Sequence, residues 1–183
     1  PGYVAALSDR GGTYLAKGDS DHAIEDFDQA IQLSPKDANL YNNRALAYRN
    51  KGETDRAITD YEQAIDLNPN NAIAFYNRGN VYSDKRDYDR AIQDFDGAVV
   101  LDAKYAVAIY NRGNAHFAKG EADRAIANYD QALAINPKYE DALVNRGVAY
   151  EKKGDLDRAI ADYDEALKLE PKDAVAYNNR GNA

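Results

Sequence analysis

The chain has 183 residues, with 23 Lys or Arg against 31 Asp or Glu, a net charge of -8 and a pI near 4.8. That balance argues against nucleic acid or an anionic membrane as the main partner, and the absence of Cys excludes disulfides, thiolate metal sites and cysteine nucleophiles together. No apolar run approaches the roughly 18 residues of a membrane span, and two His leave little material for a metal site or a general base.

The chain aligns on itself with a period of 34 residues and no insertion or deletion. In chain order, residues 1–3 are the tail of a preceding repeat; 4–37, 38–71, 72–105, 106–139 and 140–173 are five full repeats; and 174–183 opens a sixth, within its first helix. Such a period, with two helical stretches per repeat, is the pattern of a solenoid whose repeats bury their apolar faces only against neighbours. Positions below are numbered 1 to 34 within a repeat. The absence of Met places the expected native start upstream, and a cytoplasmic location is the expectation.

Helix A is expected over about positions 1 to 14. Small residues stand at position 8 (Gly11, Ala45, Gly79, Gly113, Gly147, Gly181), although Gly within a helix costs about 0.5 to 1 kcal/mol relative to Ala. Close backbone approach there outweighs propensity. Gly18, Gly52, Gly120 and Gly154 at position 15 end helix A, and Asp at position 18 favours the next N-terminus. Helix B, over about 17 to 31, carries Ala at 20 and 27 and the aromatics Phe27, Tyr61, Phe95, Tyr129 and Tyr163 at 24, then stops at Pro35, Pro69, Pro137 and Pro171. The third repeat departs, with Arg86 for the Gly and Ala103 for the Pro, so looser helix ends are expected there.

These spacings resemble the tetratricopeptide repeat (TPR) family, with small residues at 8, 20 and 27, large residues at 11, an aromatic at 24 and Pro at 32, over essentially the whole chain. The Tyr-Asn-Asn-Arg-Gly and Asp-Arg-Ala-Ile phrasing is similar to bacterial members. The resemblance implies an all-α, right-handed superhelical solenoid of antiparallel helix pairs, whose A helices line a concave groove for a peptide or protein segment. It implies no catalysis and no cofactor, and no metal site is expected.

In the family the groove is lined from positions 2, 5, 6, 9, 12 and 13. Position 6 here is Asn43, Asn77, Asn111, Asn145 and Asn179, and the resemblance carries onto them an asparagine ladder that pairs with an extended peptide backbone, since a carboxamide offers both donor and acceptor. Tyr76 and Tyr110 at position 5 and Asn80 and Asn114 at position 9 complete the expected peptide-binding set. Against this stands the reading that repeated Asn merely suits helix packing. The family's carboxylate clamp needs Lys at 2 and 5, and those positions carry none.

Arg recurs at position 7 (Arg10, Arg44, Arg78, Arg112, Arg146, Arg180), facing recurrent acids at 23 and 25, so pairing to helix B carboxylates is favoured over a cationic ladder for acidic ligands. Arg at 19 is expected to pair along its own helix with position 23. His116 takes the Tyr position 11 as a core substitution, and His22 is expected to be solvated. The alternative function is end-to-end self-association through uncapped terminal repeats, with Leu7, Tyr14 and Tyr177 at the surfaces concerned, making a homo-oligomer. Residues 174–183 are too short for an isolated helix and should be helical only when packed on the preceding helix B.

Overall fold

The computed structural model describes residues 2–183; Pro1, read above as position 32 of a preceding repeat, lies outside the described residues. The chain forms two compact halves, divided between Lys85 and Arg86 inside the third repeat. The N-terminal half holds α1 (Gly2–Ala16), α2 (Ser20–Leu33), α3 (Ala38–Asn50), α4 (Thr54–Leu67) and α5 (Ala72–Asp84). The C-terminal half holds α6 (Tyr88–Leu101), α7 (Ala106–Ala118), α8 (Ala122–Ile135), α9 (Glu140–Lys152), α10 (Leu156–Leu169) and α11 (Ala174–Asn182). All the elements are helices, in tandem antiparallel pairs.

Helix A runs over positions 1 to 13 in every repeat but the first, where α1 starts earlier at Gly2, and helix B over 17 to 30. The stop at position 15 is a left-handed residue, with Gly18, Gly52, Gly120 and Gly154 at φ +79, +78, +82 and +79°. The N-cap is position 16 rather than 18: Asp19, Asp87 and Asp155 accept from the backbone N–H three residues on, whereas Glu53 and Glu121 make no such bond. Asp at 18 is the second residue of the helix, within its first turn, where the helix dipole favours it.

The third repeat keeps its helix bounds despite Arg86 and Ala103, so the difference is carried by the backbone and not by looser ends. Arg86 adopts φ 60°, the one non-Gly residue among those described with positive φ. Its side chain is exposed. Replacing it by Gly removes the strain of a Cβ in that region, and Arg86→Gly is expected to stabilise by about 0.5 to 1 kcal/mol in urea unfolding.

Antiparallel pairing follows from which positions meet: 7 meets 23 (Arg10 with Asp26), 8 meets 24 (Gly11 with Phe27) and 11 meets 19 (Tyr14 with His22). The Ala residues at 20 and 27 are fully buried, and the position-24 rings are at most 1% exposed. Phe27, Tyr129 and Tyr163 lie against position 8 of their partner helices, so a Cβ on Gly11, Gly113 or Gly147 would sit 2.8, 2.7 or 2.6 Å from the ring. The final short segment is helical, as α11, and packs on α10 with Ala176 buried.

Two ion-pair rows join consecutive repeats. Arg44 Nε and Nη2 donate to both oxygens of Asp60 on its own helix B (2.7 Å each), while Nη1 donates to Asp28 on the preceding one (2.6 Å). Arg146 repeats this with Asp162 and Asp130, and the hydrogen bonds it donates to Asp162 and Asp130 raise its pKa against the opposing effect of burial. The second row was not anticipated: Lys at position 14 reaches Asp at 18 of the preceding repeat, as in Lys51–Asp21, Lys85–Asp55, Lys119–Asp89 and Lys153–Asp123. Its acids are 75 to 88% exposed, so water screens each pair and this row adds little to stability.

At position 19, Arg56 and Arg158 do not pair with position 23, where the Asp60 and Asp162 carboxylates are taken by Arg44 and Arg146. Arg56 instead turns back to Glu53 and donates to Tyr48 Oη, its guanidinium 4.1 Å from that ring, and Arg158 does the same over Tyr150 at 4.3 Å. His22 is not merely solvated, since it stacks on Tyr14 with centroids 5.1 Å apart and contacts Asp19. His116 is a core substitution as expected, 9% exposed, with Nδ1 2.7 Å from Glu121, whose pKa that bond holds at about 2.

Candidate functional site

Within each half, neighbouring A helices touch: α1 with α3, α3 with α5, and α7 with α9. Consecutive B helices approach each other less closely, so the A side is the inner one. Positions 5, 6 and 9 project there because residues three and four apart share a helix face.

In the N-terminal half Asn77 Nδ2 donates to Asn42 Oδ1 (3.1 Å), and Asn42 Nδ2 donates to Asn43 Oδ1 (3.2 Å). In the C-terminal half Asn145 Nδ2 donates to both Tyr110 Oη (2.8 Å) and Asn114 Oδ1 (3.0 Å), and Tyr129 Oη also donates to Asn114 Oδ1 (2.8 Å). One rule covers both halves: the amide at position 6 reaches back to position 5 of the preceding repeat. The structure therefore brings Asn43 and Asn77 together in one row and Tyr110, Asn114 and Asn145 in another, all half-buried. Tyr76 and Asn111 are half-buried on α5 and α7, whereas Asn80 is buried. The inter-repeat bonds were missed from sequence, although the recurrence of a hydroxyl or amide 35 residues before Asn77 and Asn145 is their signature.

Of the residues considered for self-association, Leu7 is buried in the core at 3%, Tyr14 is half-buried beneath His22, and Tyr177 is 48% exposed with Arg180 over its ring at 5.3 Å.

Around Tyr110 the charge is negative. Burial raises the Tyr110 pKa, with Asp141 and Glu140 adding to the effect and the bond to Asn114 opposing it. Glu140 is pushed up to about 7, first by desolvation, then by its hydrogen bond to Asp173 and the fields of Asp173, Asp141 and Glu170. Position 1 is Ala in most other repeats, so this crowding is particular to the fifth. A carboxyl whose folded pKa exceeds its unfolded value stabilises fully below about 4.5, and that contribution is lost as pH rises through about 7. Thermal unfolding is therefore expected to fall across this window, and Glu140→Gln to remove about 1 kcal/mol of the dependence, or roughly 2–4 °C. Among the described residues no group of His, Cys, Asp or Glu is placed to hold a metal ion, and no helix is long and apolar enough to cross a membrane.

Comparison with known proteins agrees with this architecture. A family model described as TPR repeat matches residues 11–52, 45–85, 79–120 and 113–154, and one described as tetratricopeptide repeat matches 140–173. No curated protein matches the chain. Among solved structures, MamA is 29% identical with a TM-score of 0.82, covering 90% of this chain and 96% of its own. YrrB, described as a TPR protein with an unusual peptide-binding site, is 22% identical with a TM-score of 0.80, covering 96% of this chain and 90% of its own. A tetratricopeptide repeat protein from Parabacteroides merdae is 20% identical with a TM-score of 0.86, covering 100% of this chain and 72% of its own. The family's repeats are a non-catalytic scaffold class that generally engages other proteins through the groove of its A helices. With matched segments running from residue 11 to residue 173, the chain belongs to the tetratricopeptide repeat family.

Proposed function

We propose that this chain is a scaffold that holds an extended segment of a partner polypeptide against its A-helix faces, through Asn43, Asn77, Asn111 and Asn145 with Tyr76, Tyr110 and Asn114 beside them. The observation that carries the reading is the pair of pre-ordered amide rows on the inner side. Each amide is fixed by a neighbour and remains half-exposed, so little side-chain entropy is lost when it meets a peptide. Asn80 is left out of the set because it is buried. Self-association is less well supported, since Leu7 and Tyr14 are occupied within the fold.

The test is selection from an unbiased displayed-peptide library, followed by affinity and thermal unfolding measurements on variants. Asn43 is the informative position, because it accepts only from its neighbour Asn42. Asn43→Ala is expected to weaken a selected peptide about 2- to 10-fold, the size of one net hydrogen bond, with little change in melting. Asn77→Ala should lower both, as it also breaks a bond between repeats. Peptides indifferent to both changes would return the Asn rows to a packing role.

A further inference from the structure

Deepening that reading, and resting on it, we infer that the A-helix face of the C-terminal half is a docking surface for a basic segment, an extended stretch carrying Arg or Lys seated on Tyr110 and Tyr139 beside Asp141 and Glu140. The Tyr110 and Tyr139 rings lie with centroids 4.8 Å apart and planes inclined by 42°, and Tyr129 backs Tyr110 at 5.9 Å. Two half-buried aromatic faces in that relation accept a guanidinium or ammonium through their quadrupoles. Asn145 fixes Tyr110 by its hydroxyl. Both Asn145 amide hydrogens are committed, so what it offers a ligand is its Oδ1, an acceptor suited to the N–H groups of a cationic side chain.

The charges point to the same occupant. None of positions 2, 5, 6 and 9 on α7, α9 and α11 carries Lys or Arg, while Asp141 stands exposed at position 2 of α9. Of the cations on or capping these helices, Arg112, Arg146 and Arg180 are engaged on helix B acids and Lys119 and Lys153 on Asp89 and Asp123, while Lys152 is exposed at the C-terminal end of α9, about 16 Å along the helix from Asp141. Glu140 is crowded by Asp141, Glu170 and Asp173 with no cation among the causes that shift it. An incoming positive charge relieves that repulsion and favours the ionised Glu140, so binding near neutral pH releases a proton. The protein as a whole is acidic, which steers the same class of partner toward it.

The experiment extends the library selection. Enriched sequences are expected to be rich in Arg or Lys. No enrichment would overturn the scaffold reading and this one with it, whereas enrichment of neutral or acidic peptides would overturn only this one. The direct measurement is calorimetric titration with a Gly/Ser peptide carrying several Arg residues, against the same peptide with neutral citrulline at each Arg. Citrulline is expected to cost about tenfold in affinity, and the double change Glu140→Gln with Asp141→Asn a similar factor. Asp157→Asn removes an exposed acid on α10, away from this face, and should leave the affinity unchanged. Equal binding of the citrulline peptide would show that positive charge is not what is recognised, and equal loss from Asp157→Asn would reduce the attraction to net charge; either result overturns the site. Heats measured in two buffers of different ionisation enthalpy should differ by the proton released, and this signal should vanish with Glu140→Gln.

Discussion

Arg146→Ala is expected to destabilise the protein by about 3 kcal/mol, well beyond the ordinary effect of a surface substitution. Arg146 is 21% exposed and donates two bonds to Asp162, itself 9% exposed, and a third to Asp130 on the preceding helix B. Removing the guanidinium strands the Asp162 carboxylate within the seam between α9 and α10, and a buried charge without its partner is costly. It also breaks a link between consecutive repeats. The comparison is Arg112, where position 23 is Asn128: Arg112 Nε donates to the Asn128 amide oxygen (2.6 Å), Nη2 to Gln131 (3.2 Å), and only Asp96, 54% exposed, is a carboxylate. Arg112→Ala strands a neutral amide and an acid that water can solvate, so a loss of about 1 to 2 kcal/mol is expected. Urea unfolding at constant m compares the two, and equal losses would show that the packed aliphatic stem dominates the position rather than the ion pair.

The contrast shows what a sequence of this kind discloses. The helix pairs were readable because small residues at 8, 20 and 27, aromatics at 24 and Gly at 15 recur in register, and each has one steric explanation. The partner of Arg at position 7 was readable for a similar reason, since acids recur opposite it. Contacts between repeats were harder to read, because they join residues 16, 30 or 35 apart whose separation means little until the stacking geometry is known. The Lys row at position 14 escaped notice on that account. Arg at position 19 was given a partner four residues on, which helix geometry permits, but Asp60 and Asp162 were already bound to Arg44 and Arg146. Competition for one carboxylate is decided in three dimensions. The Asn at position 6 could be read either as groove residues or as packing residues, and Asn77 and Asn145 do make bonds between repeats.

Gly147→Ala is expected to cost about 1 to 3 kcal/mol, although Ala is the better helix former. A Cβ at 147 would lie 2.6 Å from Cε1 and 3.0 Å from Cδ1 and Cζ of Tyr163, a ring fully buried between α9 and its neighbours. The ring cannot swing into solvent, so it must shift as a body, and its hydroxyl then leaves Glu151 Oε2, now 3.1 Å away. The second repeat already shows the arrangement with a Cβ in place: position 8 is Ala45, position 24 is Tyr61, and Tyr61 Oη is buried with no hydrogen-bond partner. Position 9 there is Leu46 and position 12 is Arg49, so that repeat lacks the acceptors supplied by Asn114 to Tyr129 and by Glu151 to Tyr163. Gly at position 8 and a bonded Tyr at position 24 thus go together. Gly147→Ala with Tyr163→Phe should therefore cost less than the sum of the two single changes, because the hydroxyl lost in one is the group misplaced by the other. Strict additivity in urea unfolding would mean that the ring keeps its bond to Glu151 and that the strain falls on the α9 backbone instead.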